Sequence, residues 1–445
     1  MLTLRPLALT AFGVIFLAGH PALLGAAPLD LAAARATDPN TVGWMVGAPP
    51  PADKMIRFAD RSFIQFPQWR WSFSHWRELR PTIAVSRGSG PVQALPVAEQ
   101  ADLDAVTFKP MGGSVPITWA DSLVYNYTDG IIVLHRGQIV YERYFGALTP
   151  EREHIAFSVT KSFFGTLATL LIAEGKIDSA RRVSEYLPEL ASSGFGDATV
   201  AQVLDMTTAL DFVENYVGES PIFEQYRYAS GVNPRPAGYA GPASIFSFLP
   251  VIGKKGEHGK EFHYRTPNVD VAAWLIARVT GKSPAVVLSE RIWSRIGAES
   301  DAYLQVDADG VPLAGSSLNA RLRDLARFGE LLRGGGRLNN EQVIPTAVVD
   351  EIRRGASRET FKFGQYATLP GWSYHNFWWV SHDDHSVYMA RGIHGQAIYI
   401  DPKAEMVIAR FASHPLAGNV NLDPMSLPAY RAVADHLMAH SNAKE

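Results

Sequence analysis

Hydrophobic and polar positions change their period several times along the chain. Gly130 to His135 and Gln138 to Phe145 are strand-like runs that Arg136-Gly137 joins as a hairpin. From Ser158 the period becomes helical. Phe164, Leu167, Leu170 and Leu171 recur at three- and four-residue spacing up to about Glu174, and Gly175 stands just past the end, where a helix stop belongs. Val200–Leu204 starts one short element. A further helix opens with Thr266 as cap and Pro267 at its first position and runs through Trp274, Leu275 and Val279 to Gly281. Another covers Arg323–Leu332 and stops at Gly334-Gly335-Gly336. Strand-like runs return at Trp378–Val380, Val387–Ala390, Ala397–Ile400 and Met406–Phe411, with turns at Asp383-Asp384 and Asp401-Pro402. A helix over about Pro428 to Met438 closes the chain.

Strands at both ends with helices between them predict an α/β organisation. One antiparallel sheet is built from about 125–157 and 375–445, flanked by helices. A mainly helical region, about 158–374, is inserted between them, with a cleft at the boundary. Upstream, 37–110 is irregular, with Pro49-Pro50-Pro51 and an aromatic cluster at Trp69, Trp71, Phe73 and Trp76. It is expected to be an arm packing on a main body of 111–445. Residues 1–36 read as an export signal: Arg5, an apolar run of twelve residues from Leu7 to Ala18, and small-residue cleavage patterns at Leu24-Gly25-Ala26 and Ala34-Arg35-Ala36. A periplasmic or secreted protein is therefore expected. No later stretch is long and apolar enough to span a bilayer.

Composition narrows the chemistry. The formal net charge of the 445 residues is −3, without a long run of one sign, which gives nucleic acid no electrostatic footing. There is no cysteine. That excludes a thiol nucleophile, a Cys-rich zinc site, disulfides and a lipid-modified N-terminal cysteine. No cofactor is expected. His382-Asp383-Asp384-His385 has metal-binding residue types, but it falls between two strand-like runs and reads as a polar turn, so no metal is expected either. The Gly-x-Ser-x-Gly elbow of α/β-hydrolases is absent.

Three segments could carry catalysis. In Ser158-Val159-Thr160-Lys161 the serine and lysine are three apart on one helical face, side by side at the first turn. A serine hydroxyl needs an adjacent base. A lysine serves when burial and the positive helix N-terminus favour its neutral amine. The Ser158 N–H is also unpaired within a helix and free to meet an oxyanion. Ser-x-x-Lys recurs at Ser441 and Lys444 in the polar tail, so position distinguishes the first copy: it follows a hairpin and starts a strongly apolar helix. Tyr264, in the loop before a helix, is a candidate for proton transfer. Gly392-Ile393-His394-Gly395-Gln396, on a late strand, permits close backbone approach and a second oxyanion donor.

Taken in order, these segments resemble the β-lactamase-like, penicillin-recognising serine hydrolases. Ser158-Val-Thr-Lys161-Ser162, Val203-Leu-Asp-Met206, Asn268-Val-Asp-Val271, Val279-Thr-Gly281, Asp324-Leu-Ala-Arg327 and Gly392-Ile-His-Gly-Gln396 are similar to the 6-aminohexanoate-dimer hydrolases, as are Trp71-Ser-Phe-Ser-His75 and Ala84-Val-Ser-Arg87 in the arm. The resemblance covers about residue 65 to the end. It implies the β-lactamase fold and hydrolysis of a linear amide or carboxylic ester through a Ser158 acyl-enzyme. Lys161 would be the base and Tyr264 the leaving-group acid. The N–H groups of Ser158 and Ile393 would form the oxyanion hole, and Tyr216, Asn268 and His394 would contact substrate. β-Lactamase or D,D-peptidase activity, or a non-catalytic binding or sensor domain, are the alternatives. Two departures bear on substrate. The Tyr-x-Asn and Lys-Thr-Gly of β-lactamases are replaced by Thr266 and by His394-Gly395 with no lysine before them, which removes the cation that grips a β-lactam carboxylate. An acidic residue that helps hold the substrate amine in some of the amidases appears here as Arg227.

Overall fold

A computed structural model describes residues 31–216, 218–338 and 341–442. In chain order its main strands are β1 (Thr82–Val85), β2 (Thr128–His135), β3 (Gln138–Tyr144), β4 (His154–Ile155), β5 (Ala302–Gln305), β6 (Leu318–Ala320), β7 (Ser373–His375), β8 (Trp378–Val380), β9 (Tyr388–Gly392), β10 (Gln396–Asp401) and β11 (Met406–Ala412). The helices that matter here are α1 (Val159–Ala173), α2 (Pro221–Ala229), α3 (Pro267–Thr280), α4 (Leu322–Arg333) and α5 (Asp423–Asn442).

The expected sheet from the two chain ends is seven-stranded, in the order β7-β8-β9-β10-β11-β2-β3. Every neighbouring pair is antiparallel. The β2–β3 hairpin closes through Arg136 (φ 51°) and Gly137 (φ 77°). Two consecutive positive φ angles give a turn whose twist matches that of paired strands. The polar His382–His385 segment connects β8 to β9.

Four features differ from expectation. The mainly helical region also holds β5 and β6, which form a second antiparallel sheet in the order β1-β5-β6-β4. β4, expected in the large sheet, belongs to this small one. The arm does more than pack on the surface, because its β1 is the edge strand pairing with β5. Its aromatics Trp44, Phe63, Trp71, Phe73 and Trp76 form a second buried cluster with Ile155 and Tyr303 of the body. The expected signal core lies outside the described residues. The last six residues of that segment, Leu31–Ala36, are helical. Ala34 is buried, and its carbonyl accepts a hydrogen bond from Arg70 Nη1 at 2.6 Å. The packed body therefore includes residues that the sequence reading assigned to the signal.

α1 positions the site. Apart from Lys161 its residues are apolar or small on every side, which suits a helix enclosed in the core rather than one lying on a surface. Val159 to Leu171 are all buried. The helix lies so close to the β7–β8 turn that a Cβ built on Gly165 would stand 2.0 Å from the carbonyl oxygen of Asn376. Asn376 and Phe377 both hold positive φ (48° and 61°), and the carbonyl of Phe377 accepts a hydrogen bond from Ser162 Oγ at 2.7 Å. The turn is thus fixed in place. Gly165→Ala is expected to destabilise the protein by about 1–3 kcal/mol, read as a lower melting temperature, because neither backbone can withdraw. An unchanged melting temperature would mean that this contact is looser than described.

Candidate active site

The helix begins one residue later than its pattern suggests, and this makes Ser158 the capping residue of α1 rather than part of its first turn. The preceding Phe157 has φ 42°, an uncommon conformation for a bulky residue. It is fixed from both sides. Its carbonyl accepts from Thr160 N at 3.0 Å and from Thr160 Oγ1 at 2.6 Å, and Thr160 Oγ1 in turn accepts from Leu318 N at 2.9 Å. The Ser158 side chain does not cap the helix. Instead its Oγ lies 2.9 Å from Lys161 Nζ.

Lys161 is 1% exposed, and that number decides its chemistry. Burial drives its pKa below the ordinary lysine value, while the charges of Glu214 and Asp270 oppose the shift without cancelling it. A second partner, the carbonyl of Gly315, takes a hydrogen bond from Nζ. One N–H is thereby tied away from Ser158, and the rest of the amine faces the hydroxyl. Tyr264 completes the group. Its ring centroid is 5.2 Å from Lys161 Nζ and 5.7 Å from the ring of Trp379, which stacks on it. Burial, then the charge of Glu214, pushes its phenol well above the usual value, against hydrogen bonding with Ser158.

Ser158 opens onto a cavity of about 520 Å³. Tyr216, Thr266, Ile393 and His394 share its wall, as do Trp69, Phe73 and Trp76 of the arm. Among the described residues the N–H groups of Ser158 and Ile393 have no hydrogen-bond partner. His394 adopts φ 61°. Its Nδ1–H donates to the carbonyl of His414 at 2.7 Å, and its ring packs on Trp69 at 4.7 Å. Burial pushes its pKa down to about 4. It is therefore a neutral wall where a β-lactamase would present a lysine.

One expected contact residue is misplaced. Asn268 is fully buried on the first turn of α3, away from the cavity. Its Oδ1 accepts from Thr208 Oγ1 at 2.7 Å, and its Nδ2 donates to the carbonyl of Arg265 at 3.0 Å. Its amide oxygen and one amide N–H hold the loop before α3, and it does not line the cavity. Of the second Ser-x-x-Lys copy, Lys444 lies outside the described residues.

Sequence reasoning missed the supports. Glu214 accepts from Thr266 N at 2.5 Å, from Thr266 Oγ1 at 2.8 Å and from the Tyr216 hydroxyl. It pins the start of α3 to the loop that carries Tyr216. Asp270 accepts from Tyr226 Oη at 2.8 Å, and burial pushes its carboxyl up. Asp270 stood inside the Asn268–Val271 motif already singled out, and Glu214 stands two residues before Tyr216, so spacing could have flagged both. Gly315 had no signal, since only the folded chain shows that a Cβ there would strike Thr266 Cγ2 at 2.3 Å.

The Beta-lactamase family profile matches residues 126–424. A 6-aminohexanoate-dimer hydrolase of Paenarthrobacter ureafaciens is 34% identical over 355 residues, 80% of this chain and 88% of that protein. A solved Bacillus anthracis structure described as a 6-aminohexanoate-dimer hydrolase superposes with a TM-score of 0.79 at 32% identity, over 88% of this chain and 99% of that one. A class C β-lactamase shares the fold alone, with a TM-score of 0.51 at 15% identity over 70% of this chain and 94% of that one. The chain belongs to the beta-lactamase family and is a serine hydrolase of the amide- and ester-cleaving kind.

Proposed function

We propose that this enzyme cleaves linear amides and carboxylic esters through an acyl-enzyme on Ser158, on substrates of the general type named for its 6-aminohexanoate-dimer hydrolase relatives. The observation that carries the reading is the buried Lys161 amine 2.9 Å from Ser158 Oγ. Neutral Lys161 takes the hydroxyl proton as Oγ attacks the carbonyl carbon, and the carbonyl π pair moves onto oxygen. The N–H groups of Ser158 and Ile393 receive that oxyanion. Collapse breaks the C–N or C–O bond. Tyr264 gives its proton to the departing nitrogen or oxygen, and the Lys161 ammonium reprotonates Tyr264. Water then attacks the acyl ester by the reverse relay, releasing the acid and restoring Ser158. The neutral His394 wall supports a linear substrate over a β-lactam. The apolar segment at residues 7–18 supports export.

The expected behaviour is specific. A fluorophosphonate probe should add to the wild-type protein once by intact mass, and Ser158→Ala should abolish both labelling and ester turnover. Labelling that survives Ser158→Ala would identify another nucleophile. The acid limb of kcat/KM should report Lys161: the rate rises as pH rises through an ionisation below the ordinary lysine value, and is lost as pH falls below it. Glu214→Gln removes a negative charge that raises the Lys161 pKa, so the same limb should move to lower pH. A limb unmoved by Glu214→Gln would assign it to some other group.

A further inference from the structure

Away from the Ser158 cavity, the arm and the terminal helix bring three metal-ligating side chains together. Asp102 lies on the short turn Ala101–Ala105 of the arm. His436 and His440 are four residues apart on α5, and so share one face of that helix. Among the described residues this is the one group of three whose ligating atoms all lie within 4.8 Å of one another. Asp102 Oδ2 is 2.9 Å from His436 Nε2 and 3.8 Å from His440 Nε2. Donors about 2.0–2.2 Å from a tetrahedral ion stand about 3.4 Å from each other, so the two separations bracket that value. Among the described residues no lysine or arginine pairs with Asp102.

The ring of His440 argues for a cation between these groups. Its Nδ1 lies 2.9 Å from the carbonyl of His436, which can only accept, so Nδ1 carries the hydrogen. In the neutral ring Nε2 then holds a lone pair. It faces Asp102 Oδ2 at a distance too long for a hydrogen bond. Two electron-rich atoms turned toward each other are the two sides of a cation site. A backbone carbonyl at the other ring nitrogen is also a usual outer partner of a metal-bound histidine. The His436 ring can carry its proton on Nδ1, which turns Nε2 from a donor to Asp102 into a ligand. Both halves are held by the body. Leu103 and Leu437 are buried in the core, and Tyr141 Oη donates to Asp104 Oδ1 at 2.6 Å.

We infer that Asp102, His436 and His440 bind one divalent transition metal of the zinc, nickel or copper class, and so clamp the arm to the terminal helix. Imidazole with carboxylate suits those ions, whereas calcium and magnesium take oxygen ligands. None of the three residues lines the Ser158 cavity, so the site is separate from acyl transfer and its role is structural. No local pattern reveals it, since Asp102 and His436 are 334 residues apart.

The test titrates zinc by calorimetry into the chelator-treated full chain, prepared without a histidine tag. One zinc per chain should bind with a micromolar Kd, raise the Tm by a few degrees at saturation, and resist displacement by excess calcium. His440→Ala and Asp102→Asn should each weaken binding at least about tenfold, because losing even an outer partner of a ligand costs about 10–100-fold. Each should also cancel the rise in Tm. His440 is exposed, so His440→Ala keeps the test open if Asp102→Asn fails to fold, and its Ser158-dependent ester turnover should match the wild type. No saturable zinc binding below millimolar, displacement by calcium, or binding unmoved by both substitutions would overturn the site. Binding lost in His440→Ala but kept in Asp102→Asn would leave the metal on α5 alone and overturn the clamp.

Discussion

The site depends on keeping a lysine amine dry. In water a lysine is an ammonium and cannot take a proton from serine. Lys161 is shifted toward the neutral amine, to a pKa of about 8, because α1 is enclosed along its length and starts at the cavity rather than at the surface. Burial alone would have left it without partners, which is costly for a polar group. The Gly315 carbonyl and Ser158 Oγ satisfy it without adding charge, while Glu214 and Asp270 stay near enough to limit the shift. A single carboxylate in direct contact would oppose that shift more strongly. The two that are present are engaged by tyrosine and threonine hydroxyls instead.

That arrangement explains the tight packing of α1. The helix presses on the β7–β8 turn at Gly165, and its first turn hangs from Leu318 of the small sheet through Thr160. Ser158 is therefore positioned by both sheets at once. The small sheet in turn needs β1 of the arm as its edge. An arm that looks peripheral in sequence also walls the cavity through Trp69, Phe73 and Trp76.

How much of this was legible in the sequence follows from element length. The β2–β3 hairpin, α1 and α3 were readable because their patterns run for seven residues or more and end in Gly or a recognisable turn. The small sheet was invisible. β4 has two residues and β6 three, too few for any period to declare itself. At the site, Ser158 and Lys161 were legible because a helix fixes the relation of residues three apart. Asn268 was misjudged because its place in a motif does not say which side of the first turn faces the cavity. Its neighbour Asp270 was overlooked for the same reason. Gly315 is joined to Lys161 across 154 residues, a relation that no local pattern carries.

One wall position then separates this site from the β-lactamase sequence pattern. In that pattern a lysine stands beside the late glycine and grips the β-lactam carboxylate. Here that position is His394, which is neutral because its Nδ1–H is committed to a carbonyl and burial opposes a charge on the ring. The catalytic group can thus stay in place while a neighbouring wall position loses its charge.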